Sequence, residues 1–121
     1  MNYKDFITAI KYNEDNTNKV RQIEQLYSSE IPRDVACIIS NLDKTIFLDS
    51  DSFLRVLDYQ EILDAEEDLN TDFVCRGIIP IFDLGDNDYL SYDLSKSKWF
   101  KYNIVDEIGF AYKETLAEYN F

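Results

Sequence analysis

The stretch IIPIFDLGDNDYLSYDLSKSKWFKYNIV, residues 78–105, decides how this chain folds. GDND (85–88) concentrates turn-forming residues between two β-prone runs. In YLSYDL (89–94) the alternation of Tyr89 with Ser91 and of Leu90 with Tyr92 predicts a strand. SKSK (95–98) reads as a second turn and WFKYNIV (99–105) as a further strand, so the whole is an antiparallel meander. Upstream, the apolar run from Phe73 to Leu84 is broken by Arg76–Gly77 and by Pro80. It reads as two strand segments, or as one bulged strand at a sheet edge, because proline cannot donate to a central ladder.

The period changes on either side of the meander. Val20, Ile23, Leu26 and Tyr27 recur at three- and four-residue steps, which predicts a helix ending near Ser28 or Ser29. Pro32 suits a first helical position, and Val35, Ile38, Ile39 and Leu42 extend a second helix. TIFL (45–48) and SFLRVL (52–57) are short β-prone runs. Asp58 and Glu61 form a reciprocal cap at the start of a third helix carrying Ile62, Leu63, Ala65 and Leu69. Tyr3, Phe6, Ile7 and Ile10 mark an amphipathic opening. Asp106–Glu107 is expected to start a C-terminal helix with Ile108, Ala111, Tyr112, Thr115 and Leu116 facing inward. These elements predict one α+β domain over residues 1–121, with residues 1–18 as a variable lead-in. An antiparallel sheet would carry the N-terminal helices, the central short helix and the C-terminal helix against one face.

Composition excludes several kinds of chemistry. The chain has no His, which removes Ser–His and Cys–His relays and His-ligated zinc. Two Cys cannot by themselves hold a structural zinc, and the apolar settings of Cys37 and Cys75 predict buried, reduced thiols. Neither GxxxxGK[ST] nor GxGxxG occurs. No apolar run approaches the roughly 18 residues of a membrane span, and MNYKDFITAI carries an acid where a signal peptide is apolar. The expectation is a cytoplasmic protein without cofactor, metal or catalytic residues. A glycosidase uses paired carboxylates at a set separation, but acids this abundant are most simply solvated side chains. DLGDND (83–88) has the spacing of a calcium-loop start yet lacks the terminal bidentate Glu, so an acidic hairpin turn is the plainer reading.

The order of elements resembles the SUKH superfamily, which includes yeast cell-wall-assembly regulators and many bacterial immunity proteins. Four passages carry the resemblance: VRQIEQLYSSEIPRDVACII (20–39), FLRVLDYQEILDAEEDL (53–69), IIPIFDLGDNDYLSYDL (78–94) and WFKYNIV (99–105) with the segment after it. NLDKTI (41–46) departs from the pattern, since a glycine-containing turn is common there. The resemblance implies a non-catalytic binding module, most simply an immunity protein that neutralises a cognate toxin domain, often a nuclease. The alternative it implies is an intracellular regulatory or scaffold domain. It carries over no contact residue, so any site must come from this chain's own charge.

That charge is uneven. The chain holds 24 acidic and 12 basic residues, net −12, which disfavours nucleic acid and anionic membrane and favours a basic protein partner. Between Leu57 and Ser95 lie eleven acids and a single base, Arg76. A field on the third helix and the GDND hairpin would steer onto the phosphate-binding surface of a nuclease. The competing explanation is a face that only solubilises. The candidate contacts are Asp64, Glu66, Glu67, Asp68, Asp83, Asp86 and Asp88, with Tyr89 as an aromatic anchor. Edge strands permit a monomer or a weak homodimer.

Overall fold

The computed structural model describes residues 17–40, 46–47 and 55–119. In chain order these form helices α1 (Thr17–Tyr27) and α2 (Arg33–Ser40), strands β1 (Ile46–Phe47) and β2 (Arg55–Val56), then helices α3 (Tyr59–Asp68) and α4 (Phe73–Arg76). Strands β3 (Ile78–Gly85), β4 (Asp88–Asp93), β5 (Lys98–Asn103) and β6 (Ile108–Lys113) follow, with a 3₁₀ turn at Leu116–Glu118. Each strand pairs antiparallel with the next, so the sheet runs β1 to β6 in sequence order. The chain is a small α+β domain built on an antiparallel meander. The expected amphipathic opening, the end of the second helix and half of each of the TIFL and SFLRVL runs lie outside the described residues. Among the described residues no helix is long and apolar enough to cross a membrane.

Local chemistry sets the hairpins. Asp86 and Asn87 have φ of 54° and 68°, as a two-residue type I′ turn requires, and Gly85 pairs with Asp88 across it. Asp93 closes the next turn by accepting from the amides of Ser95 and Lys96 at 2.9 and 3.2 Å. The reciprocal cap at α3 is present: Glu61 N–H donates to Asp58 at 2.8 Å, and Asp58 N–H donates to Glu61 at 3.2 Å.

Tertiary structure overrides five expectations, the last of them the placing of the helices. First, the C-terminal segment is strand β6. Asn103 Oδ1 accepts from Val105 N–H at 3.0 Å and Asp106 N–H at 2.8 Å, making a turn where a helix start was expected. Gly109 then lets aromatic rings lie over the strand. A Cβ there would sit 2.5 Å from the Tyr112 hydroxyl and 2.8 Å from the Phe100 ring, which stack at 5.0 Å between centroids. Second, Phe73–Arg76 is one helical turn, ended by Gly77 in the left-handed conformation at φ 70°. Third, Pro80 lies in an interior strand. Its missing donor is tolerated because β2 pairs only with Phe82 and Asp83, and the ladder shifts between Pro80 and Phe82. Fourth, Cys75 is exposed and Cys37 only half-buried, because α4 turns its cysteine outward.

Helices flank both faces of the sheet instead of one. Tyr92 and Trp99 are cross-strand partners on one face, where the Trp99 indole N–H donates to Asp34 of α2 at 3.1 Å. Tyr89 and Tyr102 are partners on the other face, where Tyr102 packs with Phe73 of α4 and Ala65 of α3. Helix α1 packs against α2, α3 and α4, and its Tyr27 hydroxyl donates to the carbonyl of Ile78 at 2.5 Å.

Two outcomes are expected. Ala111 bulges out of β6 with φ 55°, a conformation that costs an L-residue roughly 1–2 kcal/mol. Ala111→Gly should therefore raise stability by about 0.5–1 kcal/mol in urea denaturation, after glycine's own entropic cost. Burial, reinforced by the Glu66 carboxylate, holds the Tyr27 phenol well above its ordinary value. A raised pKa means the folded state keeps a proton that the unfolded chain loses. The associated stability is thus complete below about pH 10 and declines as pH rises beyond it. Urea midpoints should fall across that range, and Tyr27→Phe should flatten the slope.

Candidate protein-binding site

Helix α3 crosses the Tyr89–Tyr102 face with Glu61, Ala65 and Leu69, at the spacing of one helical face, lining the space beside Tyr89 and with Asp68 exposed at its rim. Together with Arg55, Leu57 and Tyr89 these residues line a cleft of about 160 Å³. Its walls are mixed by construction: Leu57, Ala65 and Leu69 are apolar, and Glu61 and Asp68 bring carboxylates to the rim. A larger depression of about 460 Å³ at the end of α1 is lined by Arg21, Glu24, Gln25, Ser28, Ser29 and Glu30. The side chains that line it are all polar or charged.

The acidic residues picked out from sequence fall into different roles. Asp68 and Tyr89 line the cleft. Asp64 is one helical turn from Asp68 and accepts from the Gln60 side-chain amide at 3.0 Å. Glu67 is exposed on the outer side of α3. Glu66 is exposed as well, but it also supports the fold, accepting from Val74 N–H at 3.0 Å over the start of α4. Asp86 stands exposed at the tip of the β3–β4 turn. Asp83 accepts from Gly85 N–H at 2.9 Å and faces Arg55 across the ladder. Asp88 takes the Asn103 side-chain amide at 2.8 Å and, one residue before Tyr89, points to the opposite sheet face. Of these residues the structure brings Asp68 and Tyr89 together at one cleft, ties Asp83 to it through Arg55, and leaves Asp64, Glu66, Glu67, Asp86 and Asp88 out of its lining.

Sequence reasoning missed Arg55. It lies just before the acid-rich segment, so a charge count starting at Leu57 omits it. In the fold it stands within the acidic field, 2.5 Å from Glu61 and 3.7 Å from Asp83. The available signal was a lone cation in a short β-prone run directly ahead of the Asp58–Glu61 cap. Arg76, the base inside that segment, pairs with Glu107 at 3.5 Å.

Tyr89 is only 7% exposed. Burial, then the Asp83 carboxylate, pushes its phenol upward, while Arg55 acts in the opposite direction. Tyr102, its cross-strand neighbour, buries a hydroxyl without a partner among the described residues. Among those residues no group of three His, Cys, Asp or Glu side chains is placed to hold a metal ion. Comparison with protein-family models, with curated proteins and with solved structures finds no match to this chain.

An unsatisfied buried hydroxyl costs about 1–3 kcal/mol of desolvation. Tyr102→Phe, which keeps the ring contacts with Phe73 and Phe100 and removes that hydroxyl, should leave stability unchanged or raise it by up to about 1 kcal/mol. A clear loss in urea denaturation would show instead that the hydroxyl is bonded in solution.

Proposed function

We propose that this chain is a non-catalytic binding module of the SUKH kind, an immunity protein that neutralises a basic toxin domain. The acidic surface of α3 and the β3–β4 hairpin forms the contact in this reading. What supports it is the exposure of the consecutive acids Glu66, Glu67 and Asp68 on α3 and of Asp86 at the tip of the β3–β4 hairpin. These carboxylates are held on regular secondary structure, so their field is fixed in direction before any partner arrives. A nuclease holds phosphates with Lys and Arg, and a fixed negative field accelerates encounter with such a surface. The cleft between α3 and the sheet offers an apolar interior beside the charged rim, the combination from which an interface draws affinity as well as steering.

The test uses the product of an adjoining reading frame as the candidate toxin. It should co-purify with this chain, and its association rate should fall as salt is raised. The double reversal Glu67→Lys with Asp86→Lys leaves the cleft lining intact. It should slow association by roughly tenfold while changing dissociation little. Unchanged affinity and rate would remove the acidic surface from the interface.

A further inference from the structure

We infer that strand β6 is an interface at which two copies of this chain pair edge to edge and antiparallel, with Gly109 on the two-fold axis and Ile108 of each copy opposite Phe110 of the other. The inference goes beyond the toxin-binding reading and does not rest on it. Strand β6 ends the sheet and, among the described residues, pairs with β5 alone, which leaves its outer edge open. Such an edge is normally blunted by charge, proline or a bulge. Ile108–Phe110 carries none of these. The protection begins only at Ala111, where the strand bulges and the carbonyl accepts from the Tyr119 hydroxyl at 2.5 Å.

Exposed apolar side chains mark the same place. Val105, Ile108 and Phe110 are 68%, 57% and 40% exposed, and among the described large hydrophobic residues only Leu26 joins them. Ile108 and Phe110 lie opposite Asn103 and Lys101 of β5, so they share one face of the strand. On the other face the Tyr112 and Phe100 side chains close over Gly109. Turning a second copy about Gly109 therefore sets Ile108 against Phe110 twice on the open face, as aromatic to β-branched cross-strand pairs.

Charge identifies the occupant as a second copy. Strand β6 is entered through two acids, Asp106 and Glu107, and ends on a base, Lys113. A complementary antiparallel partner must also be acidic at its start and basic at its end, as this strand itself is. The turn carrying Val105 and Asp106 of each copy then meets Lys113 of the other. The methylene stem of Lys113 covers Val105 while its ammonium faces Asp106, which is exposed; Glu107 is engaged with Arg76. A contact this short is at the low end of interface sizes, and the net charge of −12 on each copy opposes it, so the dimer is weak.

The experiment is sedimentation equilibrium of the full chain from about 10 μM to about 1 mM, with amide-resolved NMR over the same range. The average mass should rise above the 14.3 kDa of one copy, with concentration-dependent shifts centred on Val105 and Ile108–Phe110. Phe110→Lys should keep the dispersed spectrum of the folded chain and weaken association at least about tenfold. Asp106→Lys and Lys113→Asp should each weaken self-association about threefold to tenfold. Mixed in equal amounts, those two variants should associate as well as the native chain, because each contact again joins opposite charges. A chain that stays monomeric at about 1 mM, a dimer untouched by Phe110→Lys, or charge variants that associate no better mixed than apart would overturn the inference.

Discussion

Strand β4 has no solvent face: from Tyr89 to Asp93 every residue is buried, with helices over both sides of the sheet. Much of the remaining structure follows from having to satisfy that strand's polar groups without water. Ser91 turns its hydroxyl back to the Tyr89 carbonyl at 3.2 Å. Asp93, at the strand's end, spends one carboxylate oxygen on the Ser95 amide and hydroxyl, which makes the β4–β5 turn a consequence of its burial. Tyr92 is edge-on to Trp99, and the Trp99 indole reaches α2 through Asp34. Tyr89, at the start of this buried run, lines the cleft that opens beside the strand.

The electrostatics follow the same division between local and spatial. Counted along the chain, the acidic excess looks like an uncompensated block on a helix and a hairpin. In space Arg55 enters that block through strand pairing and joins Glu61, the capping residue of α3, to Asp83 of β3. Glu61 and Asp83 thus have two structural duties each, Glu61 in the cap and Asp83 in holding the Gly85 amide besides their pairing with Arg55. The acids left to face outward are Glu67, Asp68 and Asp86, with Glu66 shared between solvent and the start of α4. A field made by these few side chains has a direction and an apolar cleft beside it, which a net charge of −12 does not convey.

Residues that act on near neighbours were readable in advance. The GDND turn, the Asp58–Glu61 cap, the alternation in β4 and the helical stripe of α1 all complete their chemistry within a few positions. Where the reading failed, the deciding partner was remote in sequence. Ile108, Ala111 and Tyr112 have helical spacing, yet β6 forms because Phe100 and Tyr112 close over Gly109. A glycine inside the expected helix was a legible objection, since it costs about 1 kcal/mol there. Phe73–Arg76 is apolar and β-prone, yet it coils because Glu66 supports its first turn and Gly77 ends it.

By itself the sequence determined a single α+β domain, the meander at its centre, the places of most turns and caps, and the lack of any His-based chemistry. These depend on short-range hydrogen bonding, side-chain period and composition, all of which are present before the chain folds. Tertiary structure alone decided which acids are spent on the fold and which face outward, that both faces of the sheet are covered, and that Arg55, Asp68 and Tyr89 meet at one cleft. The physical reason is that an ion pair or a shared cavity depends on distance in space, and only the β2–β3–β4 register and the crossing of α3 bring those side chains together.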